Sequence, residues 1–334
     1  MRPFRAIAVA AAAVGLVGVT GCSLPSLLIT PVGSSPVLEE SLVDAGSKKS
    51  KIALIELEGM LANTRAGSGG LLGASENKVS LLQQQLDVAA ADDRVKVVVL
   101  RINSPGGTVG GSEAMYDMVR DFKDRTGKPV LVHCQDVCAS GGYYVACAAD
   151  EIYAQNASIV GSIGVIFEVF SASEAMEKVG LSVTTIKSGD LKDMGSPFRP
   201  LDPKAQEVLQ GLIDDFYAQF KGVVTSNRDI DDPETTFDGR VFTAEQAMDR
   251  GLIDGVQTLP ETLDRARALA GSSQSSVIMY RRPYGYTGSI YASSPLDTPR
   301  ADSGTAGEMM QAAGVVAEEM GIFLRPGAYY LWRP

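Results

Sequence analysis

Two hydrophobic periods alternate along this chain. Lys51–Glu58 opens with the apolar run Ile52–Ile55 and then alternates, the pattern of a strand. Asn77–Ala91 sets Val79, Leu82, Leu86 and Ala90 on one helical face. Val95–Ile102 is nearly all β-branched or leucine, as in a parallel strand buried on both sides. Ser112–Lys123 returns to helical spacing, with Met115, Met118, Val119 and Phe122 inward. Pro129–Cys134 predicts a second buried strand, and Ser140–Ala149 a short helix of small residues. Strands are expected at Glu151–Ala154, Ile163–Phe170 and Val183–Lys187. Helices are expected at Ser173–Val179, Pro203–Ser226 and Glu308–Met320. Strands alternating with helices in this way build right-handed βαβ layers.

Both ends break the rhythm. Arg2 and Arg5 precede an unbroken small-apolar run, Ala6–Val19, the length of an export-signal core. The run closes on Val19-Thr20-Gly21-Cys22, which resembles a bacterial lipobox with valine where leucine is usual. Residues 1–22 therefore predict an export signal whose Cys22 is lipidated. An uncleaved anchor or plain secretion are the other readings, although the run falls short of the roughly 20 residues that span a bilayer. All three place the folded part on the extracytoplasmic side of the cell membrane. Residues 23–50, rich in Ser, Pro, Gly and Leu, read as a tether. Residues 51–270 then form the folded domain, and 271–334 a C-terminal extension, flexible over Gly271–Gly307. Its apolar end, Gly327–Trp332, wants a partner: a neighbouring subunit, the membrane surface, the substrate groove or its own domain.

Composition narrows the classes. The 334 residues are 45% apolar and 21% charged, ordinary for a globular core. A net charge of −10 repels phosphate backbones, so nucleic-acid binding is disfavoured. His133 is the only histidine, which excludes two-histidine metal motifs within one chain. The four cysteines lack zinc-site spacing. Cys134 and Cys138 are either a pair in an oxidising compartment or two small buried residues. The glycine-rich stretch Gly67–Gly73 fits neither the dinucleotide fingerprint nor the P-loop. No metal or cofactor is expected.

Two strand-to-helix loops carry glycine pairs: Asn103-Ser104-Pro105-Gly106-Gly107 and Ala139-Ser140-Gly141-Gly142-Tyr143-Tyr144. Ligands bind at such edges of α/β sheets. Glycines there let backbone N–H groups approach a reacting carbonyl, as an oxyanion hole requires. Ser140 is placed as a nucleophile, or else as an ordinary N-cap. A nucleophilic serine needs a base. His133 lies within the preceding strand, poorly placed to serve. The alternative is a lysine that burial keeps neutral, and Lys187 and Lys192 are the candidates.

In their order along the chain, Ser104-Pro105-Gly106-Gly107, Ala139 to Tyr144, Gly161-Ser162-Ile163-Gly164-Val165, Lys187-Ser188-Gly189, Lys192-Asp193, Ser196-Pro197, Gly239-Arg240-Val241-Phe242 and Gly251-Leu252-Ile253-Asp254 resemble the signal peptide peptidase A family, over roughly Lys51 to Ala270. The resemblance implies a layered, crotonase- and Clp-protease-like α/β fold and a Ser/Lys dyad. Ser140 is then the nucleophile, Lys192 the base, Ser162 the residue that positions the lysine, and Gly106, Gly107 and Gly141 the oxyanion hole. It further implies a homo-oligomer acting on apolar peptides such as released signal peptides, with small side chains in tight subsites. A crotonase-like acyl-CoA enzyme and a non-catalytic lipoprotein scaffold are the rival functions.

Overall fold

The structure, a computed structural model, describes residues 38–63, 77–282 and 328–332, all of which fall in one compact unit. Strands β2 (Ser47–Glu58), β3 (Val95–Ser104) and β5 (Val130–Ala139) run parallel at the centre of a nine-stranded sheet. Beyond β5 lie β6 (Glu151–Ala154) and β10 (Gly255–Val256). Beyond β2 lie β11 (Ser275–Arg281) and β1 (Glu39–Asp44). The far end of β5 also pairs in parallel with β7 (Ile159–Gly161), which pairs antiparallel with β9 (Val241–Thr243).

Side chains of the central strands alternate between two cores, because successive residues of a strand face opposite ways. Ala53, Ile55, Val98, Leu100 and Val132 pack with α1 (Lys78–Ala91) and α2 (Val109–Thr126). Ile52, Leu54, Val97, Val99 and Leu131 pack under α8 (Leu259–Leu269). Both faces are covered, which is why these strands are continuously apolar. The result is the layered α/β fold that the strand–helix alternation and the family resemblance imply.

Four local expectations change. Residues 39–50 are not tether: they form β1 and the start of β2, with β1 held antiparallel to β11. Ser275–Arg281, read as flexible, is a fully buried strand between β1 and β2. Ile163–Phe170 contributes only the two-residue β8 (Ile166–Phe167). Val183–Lys187 has strand-like composition but no strand beside it among the described residues, and it lies exposed as irregular chain. The export signal, Cys22, the Gly67–Gly73 loop and the helix expected at Glu308–Met320 lie outside the described residues. No described helix is long and apolar enough to cross a membrane.

A smaller sheet sits at the ends of β3 and β5. It has three strands, in the order β4 (Gly106–Thr108), β12 (Ala328–Leu331), β8. The apolar end of the chain is therefore the middle strand, laid along the glycine loop.

Candidate active site

Ser140 is the junction between β5 and the short helix α3 (Gly141–Ala146). Ala139 stands opposite Gly161 in the β5–β7 ladder, and the Ser140 N–H donates to the Gly161 carbonyl at 2.7 Å. The chain then turns sharply, to φ 50° and ψ −118° at Ser140. Ser162, one residue past Gly161, has φ 51°, and its N–H donates to the Arg240 carbonyl at 2.8 Å. These two serines are the only non-glycine residues with positive φ among the described residues. Each such conformation costs about 1–3 kcal/mol and persists only where its surroundings impose it. Here the pairing of β5, β7 and β9 imposes it, and the two strained serines are neighbours across the ladder.

Ser140 is buried, and its Oγ has no hydrogen-bond partner among the described residues. The N-cap reading fails: the side chain caps nothing on α3. What remains is a hydroxyl held in a strained turn with its lone pairs and proton unspent.

The glycine loop is fixed from behind. Ser104 Oγ accepts the Gly106 N–H at 3.1 Å and donates to the Gly59 carbonyl at 2.6 Å. Leu61 clamps the loop from the other side. Its N–H donates to the Gly106 carbonyl at 2.8 Å, and its carbonyl accepts the Thr108 N–H at 2.9 Å. A β-carbon placed on Gly141 would lie 3.0 Å from the Gly107 nitrogen and 3.1 Å from the Tyr330 carbonyl oxygen. A β-carbon on Gly106, whose φ is 112°, would overlap that same Tyr330 oxygen. The three glycines thus surround one peptide carbonyl. The structure brings together Ser140, Ser162, Gly106, Gly107 and Gly141.

Gly107→Ala tests how tightly the loop is held. The added carbon would collide with the Leu61 backbone, which its hydrogen bonds to the Gly106 carbonyl and the Thr108 N–H hold in place. We expect a loss of about 2–3 kcal/mol, or roughly 5–10 °C in Tm, with peptide turnover lost alongside. Gly110→Ala, three residues on, points into open space within α2. It should be neutral or stabilising by up to about 1 kcal/mol. Equal thermal melts for the two variants would show that the loop is not clamped.

Lys192 stands apart from this cluster. It lies exposed in a turn, and its side chain makes no hydrogen bond or ion pair among the described residues. Lys187 is committed elsewhere: its ammonium donates to the Asp193 carboxylate at 2.7 Å and to the Asp190 carbonyl at 2.7 Å. That contact, with Arg199 beside it, holds the Asp193 carboxyl below the usual carboxylate range. Both lysines belong to an arm, residues 168–198, that leaves Phe170, Val179, Leu181, Val183, Ile186 and Phe198 exposed.

His133 is a core residue. Its Nδ1 is 2.9 Å from Thr262 Oγ1, and burial, with the Arg101 charge nearby, pushes its pKa down to about 4. It sits seven residues before Ser140 along an extended strand, roughly 20 Å away at ~3.3 Å per residue. Cys134, Cys138 and Cys147 are free, buried thiols.

The sequence pattern did not single out what lies beside the glycines. Tyr330 is fully buried, stacked on Tyr144 with ring centres 5.1 Å apart and tilted against Phe220 at 4.7 Å. Phe220 belongs to the long helix α5 (Pro203–Asn227), where helical spacing marks it only as an inward residue. Ser112, on α2, places a buried and unpartnered Oγ against Gly141. Nothing in the sequence distinguishes it from other small helical residues.

The chain is similar in sequence to known peptidases. A model of peptidase family S49 matches residues 122–273, and a Clp protease model matches residues 71–160. A Methanocaldococcus jannaschii protein named "Putative protease MJ0651" is 35% identical over 260 residues, 76% of this chain and 83% of its own. An Enterococcus faecium protein named "Putative signal peptide peptidase SppA" is 32% identical over 251 residues, 75% of this chain and 72% of its own. The "Serine protease SPPA, chloroplastic" of Arabidopsis thaliana is 32% identical over 241 residues, 70% of this chain but 35% of its own.

Proposed function

Because the chain belongs to the signal peptide peptidase A family of serine peptidases, peptidase family S49, we propose that it is a membrane-associated endopeptidase working through a Ser140/Lys192 dyad and an acyl-enzyme. The observation that carries this reading is Ser140: its backbone is strained, its hydroxyl is buried and unpartnered among the described residues, and the Gly141 that follows it packs against the Gly107 amide. Ser140 Oγ bonds to the substrate carbonyl carbon as its proton passes to neutral Lys192. The N–H groups of Gly107 and Gly141 hold the resulting oxyanion, where fixed donors stabilise charge as it develops, while Gly106, whose N–H is given to Ser104 Oγ, contributes only room for close approach. The C–N bond breaks, and Lys192 returns the proton to the leaving amine. A water activated by Lys192 then frees the acyl group. Ser162 orients the lysine.

The substrates are apolar peptides at the membrane face, released signal peptides among them. In support, the groove between β4 and β8 already accepts an extended apolar strand. Export through residues 1–22 and lipidation of Cys22 would set the groove at the outer membrane–water boundary. A fluorophosphonate probe separates this reading from an acyl-CoA enzyme or a scaffold, because it needs an activated serine. Label should map to Ser140 by peptide mass. A protein that stays unlabelled, or is labelled at another residue, would sink the proposal.

The protein assembles as a homo-oligomer. Its exposed apolar arm is larger than the scattered hydrophobics of an ordinary monomer surface. Covering that arm with a second copy would also strip water from Lys192, which a neutral amine requires. Light scattering of the chain from Val37 onward should give a multiple of the monomer mass. Ile186→Glu, at a position that is 97% exposed here, should shift it to monomer and lower turnover with it. A wild-type monomer at working concentrations would contradict the assembly.

A further inference from the structure

Among the described residues, only two serines have a buried hydroxyl with no hydrogen-bond partner, and both stand against Gly141. One is Ser140, which precedes it in the chain. The other is Ser112, fully buried near the start of α2. Other buried serines are partnered: Ser50 with Ser275, Ser104 with the Gly59 carbonyl, Ser158 with the Cys134 carbonyl. A helical serine or threonine can also give its proton to the carbonyl four residues back. Thr126 does so at the far end of the same helix, to Phe122 at 2.7 Å, and Thr225 does so on α5, to Lys221 at 3.0 Å. Ser112 makes no such bond to the Thr108 carbonyl. A buried hydroxyl in this state costs stability, so its presence needs a reason.

The surroundings supply one. A β-carbon placed on Gly141 would overlap Ser112 Oγ, so glycine at 141 is what admits the hydroxyl. The Gly107 nitrogen lies 3.0 Å, and the Tyr330 carbonyl oxygen 3.1 Å, from that same β-carbon position. A free hydroxyl, an amide of the oxyanion hole and a peptide carbonyl thus converge on one buried spot. Yet with that carbonyl planar, the hydroxyl bonds to none of them. A carbonyl oxygen has two lone pairs for hydrogen bonds. The oxyanion made from it by attack of Ser140 has a third. The Gly107 and Gly141 amides fill two, and Ser112 is the donor left over in the same corner.

Resting on the protease reading above, we propose that Ser112 is a further catalytic residue, whose hydroxyl donates the third hydrogen bond to the oxyanion. It keeps its own proton throughout, and no covalent bond to it forms or breaks. Because it is unpartnered beside the planar carbonyl and bonded only to the tetrahedral one, it stabilises the transition state over the bound substrate. Such a group raises kcat and leaves KM alone.

The test compares the full chain with its Ser112→Ala variant. The substrate is a fluorogenic peptide amide with the sequence of residues 327–330, the segment whose last carbonyl the glycines surround. The matching peptide aldehyde, which forms a tetrahedral adduct with a serine hydroxyl, serves as the inhibitor. We expect kcat to fall about 100-fold, the scale for one oxyanion donor. KM should stay nearly unchanged, and the aldehyde should lose affinity by a factor comparable to the loss in kcat. The melt should stay level or rise, because alanine removes an unpaired buried hydroxyl. A kcat close to wild type would overturn the role of Ser112. So would substrate and aldehyde binding weakened by one common factor with a lowered melt, the pattern of a packing residue. The ratio of the two affinities is read on folded enzyme alone, so even a destabilised variant decides. If fluorophosphonate labels Ser140 in the wild type while Ser112→Ala is labelled and turns over equally fast, only the role of Ser112 fails. If the wild type neither takes the label nor cleaves the peptide, the protease reading fails and the role of Ser112 falls with it.

Discussion

Ser140→Gly is expected to melt higher than the wild type and to cleave nothing. Turnover should fall by roughly 10^4–10^6-fold, the scale on which a covalent serine nucleophile contributes. Stability should move the other way. Glycine adopts φ 50° freely, which relieves about 1–3 kcal/mol of strain. The more flexible unfolded chain takes back about 0.5–1 kcal/mol. A net gain of about 1–2 kcal/mol corresponds to roughly 2–6 °C in Tm. Ser140→Ala keeps the strain, so it should be equally inactive and melt close to wild type. An N-cap serine would behave oppositely, losing about 0.5–2 kcal/mol on replacement by alanine and a few tenths of a kcal/mol by glycine. Thermal melts and peptide turnover on both variants decide between the two. If folded Ser140→Ala kept even a few per cent of wild-type turnover, the nucleophile would be another residue.

That pairing of strain with chemistry explains which parts of the site were legible in the sequence. Gly106, Gly107 and Gly141 are demanded by close backbone approach, and a serine between a buried strand and paired glycines is locally conspicuous. The long elements β3, α2 and α5 were legible because burial imposes a sustained period on them. β1 was not. It is an edge strand with Glu39, Glu40 and Leu42 exposed, so no alternation survives, and its pairing with β11 is more than 200 residues distant. β11 carries the run Val277-Ile278-Met279-Tyr280, but its buried state depends on β1 covering one edge. The same holds for Tyr330. Its aromatic character was visible, while the box of Tyr144, Phe216 and Phe220 exists only once α3 and α5 are packed. Val183–Lys187 fails in the opposite direction. Its β-branched residues promise a strand, yet the described residues offer no neighbouring edge to pair with them.

The base is the residue on which geometry within one chain says least, and so it gives the second large prediction. Lys192→Ala should lower kcat/KM by roughly 10^3–10^4-fold, the upper range for a positioned proton acceptor. Lys192→Arg should be as inactive as the alanine variant, since a guanidinium is not deprotonated in proteins. Lys187→Ala should retain most of its activity. The Lys187 ammonium is bonded to the Asp193 carboxylate and the Asp190 carbonyl, so it is tied into its own arm and not free to reach Ser140. Lys192 has no such partner among the described residues, so its side chain is free to turn towards Ser140. Fluorophosphonate labelling of Ser140 should follow the same order, near normal in Lys187→Ala and strongly slowed in Lys192→Ala. Because the arm is exposed, none of the three substitutions should alter the melt of the folded domain appreciably. Full loss of turnover in Lys187→Ala, with activity retained in Lys192→Ala, would reverse the assignment and move the base five residues upstream.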